Sequence, residues 1–394
     1  MNNRQLFLQH LGQTSESPLA LEIERAEGVY MYDQDNKAYL DLISGIGVST
    51  IGHRHPKVVE AIKSQVDRHL HLMVYGEFVT APQVQLAHAI TQTLPDSLDN
   101  VFLVNSGSEA TEGALKLAKR HTGRSKVLSC CNAYHGATMG ALSVAGGESL
   151  KAPFLPLLPD THQIGFGSPE DLEQIDDLTA AVIIETVQGE AGVRQTDSSY
   201  FEALRARCNK TGTLLIFDEV QCGFGRTGKF WAFEHYGVTP DILLCAKGMG
   251  GGMPIGAFIS SKNIMHDLTH DPILGHITTF GGHPVSAAAS LATLRVLQSE
   301  QLISQVAEKE ALFHSLLKHE QIIEVRSKGL MMAVAFDSFE RLDKIIHQLL
   351  EDGILSDWFL FCDNAMRIAP PLTITKEEIK MACNKILQAI DIVC

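Results

Sequence analysis

The sequence is short of the features that mark several large classes of protein. No run of 18 consecutive apolar residues occurs, so no segment is read as a membrane span. A basic surplus is missing too. Lys and Arg number 32 against 46 Asp and Glu, a formal net charge of −14, which argues against nucleic acid or an anionic membrane as a partner. The cysteines, eight in all, never stand as C-x-x-C. Cys130 and Cys131 are adjacent and the rest are scattered, the pattern of free thiols in a reducing compartment, so the cytoplasm is expected. The opening MNNRQLFLQHLGQ has too short an apolar core to read as a secretory signal.

Three kinds of chemistry are excluded in the same way. His53-Arg54-His55 and His69-Leu70-His71 lack both H-E-x-x-H and an acidic partner at helical spacing, so no metal site is expected. There is no G-x-S-x-G nucleophile elbow. Gly223 to Lys229 reads G-x-x-x-x-G-K, but Phe230 follows where a P-loop needs a hydroxyl for magnesium, and Asp218 to Cys222 separate the loop from its strand.

What is present is an α/β order. Ala180 to Ile184, Thr213 to Phe217 and Ile242 to Ala246 are apolar throughout and predict buried strands of a mostly parallel sheet covered by helices. Phe201 to Lys210 predicts a crossover helix between the first two. The last hundred residues read helix (302–317), strand (330–336), helix (341–350) and a final helix from Thr375, where Glu378 completes a capping box. Gly28 to Leu42 reads as hairpin material. The expected division is a large domain over residues 50–290 and a smaller α+β domain built from both chain ends, 1–49 and 291–394.

The three apolar strands each end in an ionisable group: Glu185, Asp218 and Lys247. Ligands of open α/β sheets sit at the carboxyl ends of strands, so these three mark a candidate site. A fourth strand, Val101 to Val104, runs into Asn105-Ser106-Gly107-Ser108-Glu109 and a helix. Hydroxyls and free backbone N–H groups at a helix N-terminus suit a phosphate, although Ser106 and Glu109 also fit an ordinary capping box. Lys247 lies among small residues at the end of a buried strand, where desolvation lowers an amine's pKa and makes it a nucleophile toward a carbonyl. A phosphate cradle, a nucleophilic lysine and a buried aspartate are what pyridoxal phosphate requires, and Tyr134 is an aromatic on which its ring would stack.

On these residues the chain resembles the class-III pyridoxal-phosphate aminotransferases, enzymes of the aspartate-aminotransferase fold, fold type I. The stretches that carry the resemblance are GHRHPKVVEAI (52–62), NSGSEATEGALKLAKR (105–120), AYHG (133–136), ETVQGEAGV (185–193), FDEVQCGFGRTG (217–228), AKGMGGGMPIGA (246–257), TTFGGHP (278–284) and RIAPPL (367–372). The resemblance implies that Asp218 pairs with the pyridine nitrogen and that Gln221 lies near the ring oxygen. Lys247 would hold the cofactor and shuttle the proton. Ser106, Gly107 and Ser108 would bind the phosphate, joined by Thr279 from the other subunit of a homodimer. Arg367 would bind a substrate carboxylate, and Glu190 would cover it when an ω-amine occupies the site. The implied donor is ornithine-like or acetylornithine-like, with 2-oxoglutarate as acceptor in a ping-pong reaction. Two departures bear on the donor. Ile46 stands where ornithine members have an aromatic, and Ala137 stands where many members carry a carboxylate-binding Arg, for which Lys151 is the candidate replacement. A 4-aminobutyrate or diamine donor, or an aminomutase reaction, are the alternatives.

Overall fold

The computed structural model describes residues 2–393. Seven strands form the largest sheet, in the spatial order Asn100–Val104, Gly256–Ser260, Ile242–Cys245, Leu214–Asp218, Thr179–Glu185, Lys126–Cys130, Thr161–Ile164. Six run in one direction, and Gly256–Ser260 lies antiparallel to both of its neighbours. The apolar strands read from the sequence are the central ones, and every residue of Thr179–Glu185, Leu214–Asp218 and Ile242–Cys245 is buried. Alternate residues face opposite sides, as strand pleating dictates. Val182, Ile184, Leu215 and Phe217 join one apolar cluster, while Ile183, Ile216 and Leu244 join another. Helix Ser198–Thr211 packs on the first side through Phe201, Leu204 and Cys208. Helix Gly107–Thr122 packs on the second through Ala110, Ala114, Leu117 and Ala118.

Two four-stranded sheets lie outside it. One joins Ile23–Glu27, Tyr30–Asp33 and Ala38–Asp41 to Ile354–Leu355, which pairs in parallel with Ala38–Asp41. The hairpin segment near the start of the chain is thus completed by residues near its end. The other joins Glu324–Ser327, Met332–Ala335, Cys362–Ile368 and Trp358–Phe359. The expected strand 330–336 is shorter at its start because the Leu330 N–H bonds to the Arg226 carbonyl, off the ladder, at 3.0 Å. The expected helix 302–317 is also broken: a 3₁₀ turn, Ile303–Gln305, follows a left-handed Gln301 and precedes helix Val306–Leu316. The last helix, Lys376–Val393, begins as the capping pattern requires. Glu378 N–H donates to Thr375 Oγ1 at 3.2 Å and Thr375 N–H donates to Glu378 Oε2 at 2.8 Å.

The strand directions decide where chemistry collects. Val104, Cys130, Glu185, Asp218 and Cys245 all end at one edge of the large sheet, and the following loops open there.

Candidate active site

A cavity of about 420 Å³ lies at that edge, and its wall includes Ser106, Gly107, Ser108, Tyr134, Glu185, Glu190, Asp218, Gln221 and Lys247. Lys247 opens the turn after strand Ile242–Cys245 with a left-handed backbone, φ 44°. Burial lowers the pKa of its ammonium, Glu190 raises it, and Arg367 lowers it again; the net shift is downward.

Asp218 closes its strand with both oxygens engaged. Oδ1 accepts the Val220 N–H at 2.9 Å, and Oδ2 lies 2.7 Å from His135 Nδ1. A carboxylate only accepts, so this contact puts the proton on Nδ1. The other ring nitrogen, Nε2, is buried and has no partner among the described residues. His135 lies inside the AYHG stretch, one residue beyond the tyrosine singled out from the sequence, and its link to Asp218 had no sequence signal. Its carbonyl also accepts from Thr111 Oγ1 at 2.8 Å, which seats the loop on helix Gly107–Thr122.

Glu185, the neighbour of Asp218 in the ladder, ties two loops together. Oε1 accepts the Tyr134 N–H at 2.9 Å and Oε2 the Gly189 N–H at 2.8 Å. Burial, opposed by His135 and assisted by Asp218, pushes its pKa up to about 7. Glu219 is as deeply buried but faces away from the cavity wall. Its two oxygens accept the Ala232 and Phe233 N–H groups, each at 2.6 Å, and so hold the start of the 232–235 turn.

Also on the cavity wall, Ser106 caps helix Gly107–Thr122, its Oγ accepting the Glu109 N–H at 3.1 Å. The reciprocal bond of the capping box falls elsewhere: Glu109 Oε2 accepts from the Asn105 N–H and side-chain amide, both at 2.8 Å. Close approach dictates the glycines here. A Cβ on Gly107 would stand 2.9 Å from Val220 Cγ1. Gly136 has φ 126°, and a Cβ there would collide with Ser108.

Glu190, on the loop after strand Thr179–Glu185, and Arg367, on strand Cys362–Ile368, meet as a fork on a fork. Arg367 Nη1 donates to Oε1 at 3.0 Å and Nη2 to Oε2 at 2.9 Å. Gln221 Nε2 adds a bond to Glu190 Oε1 at 3.1 Å. Arg367 stands behind Glu190 rather than on the cavity wall. It lines a narrow recess with Ile46, Gln221, Arg226 and Phe359. Ile46 therefore sits beside the arginine, with a left-handed backbone, φ 62°. Arg226, from the glycine loop that imitates a P-loop, is almost wholly buried and donates through Nη1 to the Leu330 carbonyl at 2.9 Å and to that of Pro370. That loop joins the two sheets; it does not form a phosphate cradle.

Besides Arg367 and Ile46, Thr279 and Lys151 also lie off the cavity. Thr279 is exposed in the segment 277–280 and does not line it. Lys151 does not line it either: its ammonium is 2.6 Å from Glu148 Oε1, so it is no replacement for a carboxylate anchor at Ala137, which is exposed.

These residues fit pyridoxal phosphate. The helix N-terminus with its two serines and close-packed glycines suits a phosphate, Asp218 offers a carboxylate, and Lys247 offers an amine of lowered basicity on the same cavity wall.

Comparison with known proteins agrees. Residues 11–390 match the family model described as aminotransferase class-III. The acetylornithine aminotransferase of Archaeoglobus fulgidus is 41% identical over 361 residues, 91% of this chain and 93% of that protein. The [LysW]-aminoadipate semialdehyde/glutamate semialdehyde transaminase of Sulfolobus acidocaldarius is 38% identical, over 92% of this chain and 93% of that one. Among solved structures, the ornithine aminotransferase of Toxoplasma gondii superposes with a TM-score of 0.92 at 30% identity, covering 100% of this chain and 96% of that chain. The chain belongs to the class-III aminotransferases, pyridoxal-phosphate-dependent transaminases of fold type I.

Proposed function

We propose that this chain moves an amino group from an ornithine-like or acetylornithine-like donor to an oxo acid, 2-oxoglutarate, in two half-reactions at one cavity. The observation that carries the reading is the cavity itself, where Lys247, Asp218, the 106–108 helix start and Glu190 share one wall with Arg367 directly behind. The relatives named for acetylornithine support the donor class.

Pyridoxal phosphate, when bound, supplies an electron sink conjugated to the donor carbon. Ser106, Gly107 and Ser108 would hold its phosphate, and Thr279 of a second copy would reach it from across a homodimer. Tyr134 would cover the ring and Gln221 would face its oxygen. Asp218, oriented by His135, would keep a proton on the ring nitrogen. Lys247 would hold the cofactor and, once displaced by the donor amine, would take and return the proton at the donor carbon, a task its lowered pKa suits. Glu190 neutralises Arg367 while an amine occupies the site. The carboxylate of the oxo acid takes that place in the second half, with Ile46 beside it. The division into residues 50–290 and the two chain ends belongs to the same reading, with Glu190 from one part and Arg367 from the other. Free thiols throughout residues 2–393 suit a reducing compartment, the cytoplasm.

A 4-aminobutyrate or diamine donor has one observation in its favour. Among the described residues that line the cavity, Lys247 is the only lysine or arginine. The test follows the near-visible cofactor absorbance in single half-reactions with N-acetylornithine, ornithine, 4-aminobutyrate and putrescine. Fastest reaction with ornithine or its acetyl form supports the first reading, and reaction with putrescine alone replaces it. Failure to exchange with an external oxo acid would turn the reading toward an aminomutase.

A further inference from the structure

Glu190 is not the only carboxylate on Arg367. The Nε edge of the guanidinium, on the far side from the Glu190 fork, donates to Asp357 Oδ1 at 2.8 Å. The same residue also holds the arginine's backbone, since the Arg367 N–H donates to the Asp357 carbonyl at 2.8 Å. Its neighbours complete the grip. Ser356 Oγ donates to the Arg367 carbonyl at 2.7 Å, Arg367 Nη2 donates to the Trp358 carbonyl at 3.1 Å, and the Phe359 ring centroid lies 4.4 Å from the guanidinium carbon. These contacts come from Trp358–Phe359, the short strand antiparallel to Arg367's own with Trp358 opposite Met366, and from Ser356 and Asp357 just before it.

We infer that Asp357 is the positioning residue for carboxylate recognition. It holds the guanidinium plane in place during the half-reaction in which Glu190 is displaced, so an incoming carboxylate meets the Nη1 and Nη2 fork already aimed. The physical reason is the length of the side chain. Arginine without Glu190 has two Nη donors free and several rotatable bonds, and a bidentate carboxylate contact requires one planar orientation. The Nε bond fixes that plane while leaving Nη1, and the Nη2 N–H not given to Trp358, available. Glu190 cannot serve this purpose, because it occupies the positions the substrate needs. The inference rests on the proposed exchange of Glu190 for a substrate carboxylate on Arg367.

The test uses the holoenzyme and 2-oxoglutarate as the varied substrate, with glutarate inhibition as a binding readout that requires no turnover. Asp357→Ala is expected to raise both the KM for 2-oxoglutarate and the glutarate inhibition constant by about tenfold. At saturation kcat is expected to stay within about twofold, and the amine half-reaction, in which Glu190 keeps its place, is expected to be unchanged. Asp357→Asn keeps an oxygen acceptor for Nε and is expected to restore most of the affinity. Should Asp357→Ala fail to fold, Asp357→Ser, too short to reach Nε, carries the same expectation. Arg367→Lys is measured alongside. If it leaves both constants unchanged, the role given to Arg367 is wrong. If it weakens binding while Asp357→Ala and Asp357→Ser do not, the role given to Asp357 is wrong. A drop in melting temperature with unchanged constants makes Asp357 purely structural, and an Asn variant as impaired as Ala makes charge, not position, the cause; either overturns the inference.

Discussion

His135 and Asp218 form a buried pair, Nδ1 to Oδ2, 2.7 Å apart, with the histidine on a loop after one strand and the aspartate at the end of another. Removing the charge and removing its support are separable experiments. Asp218→Asn is expected to lower kcat by about 100-fold or more, the scale on which a fixed charge at a reacting group acts. His135→Phe leaves the charge but frees the carboxylate to turn, and a loss of about tenfold is expected. Steady-state rates at saturating cofactor check both. A His135→Phe variant at the wild-type rate would show that Asp218 needs no partner.

The Glu190–Arg367 pair gives a pH dependence of stability with a definite sign. Burial alone raises the Glu190 pKa, but the hydrogen bonds and charge of Arg367, with Lys247 nearby, outweigh it and hold the group at about 2, against an ordinary value of 4.5. A carboxyl whose folded pKa is depressed stabilises fully above its unfolded pKa and loses that contribution as pH falls through the folded one. The contribution is on the order of 3 kcal/mol. Melting curves of wild type and Glu190→Gln are expected to differ by a constant margin from pH 7 to 5. The margin is expected to shrink as pH falls from about 5 toward 2, and one that did not narrow would contradict the assignment.

Glu219 tests a structural carboxylate in the same DEVQ stretch. Both of its oxygens accept backbone N–H groups, those of Ala232 and Phe233. An amide has one oxygen, so Glu219→Gln sets an NH₂ against a backbone donor in a buried place. A loss of about 2–3 kcal/mol is expected, with the KM values near wild type. Urea unfolding beside kinetics reads the two effects apart.

Gly136 offers a test of the phosphate cradle. With φ 126° and Ser108 in the path of any Cβ, Gly136→Ala must strain the backbone and displace Ser108. The dissociation constant for pyridoxal phosphate is expected to rise about tenfold or more, measured by equilibrium dialysis of the apoprotein. Unchanged affinity would remove Ser108 from the cradle.

Much of the site was legible because its residues sit where a local pattern stops. Glu185 and Asp218 end apolar runs, Lys247 follows one, and Ser106 begins a helix; each position is fixed by the few residues around it. The pairing of Glu190 with Arg367 was accessible only through resemblance, since 177 residues separate them. His135 and Asp357 were illegible for a different reason. Each acquires its role from a partner on another strand, and neither lies in a periodic segment. The antiparallel course of Gly256–Ser260 was likewise hidden, because an apolar strand buried on both faces has the same composition in either direction. Cys362–Ile368, which delivers Arg367, reads polar for its first three residues and was seen only as the motif at its end.

The weaving of the two chain ends sets the order in which the molecule is finished on the ribosome. Ala38–Asp41 waits for Ile354–Leu355, the Leu42 carbonyl waits for the Ala369 N–H, and the Thr50 carbonyl waits for the Leu372 N–H. The central sheet is complete once residue 260 has emerged, long before any of these partners exist. A nascent chain thus displays Lys247 and the 106–108 helix start well before Arg367. Only the segment 354–368, made after every other strand, closes the outer sheets.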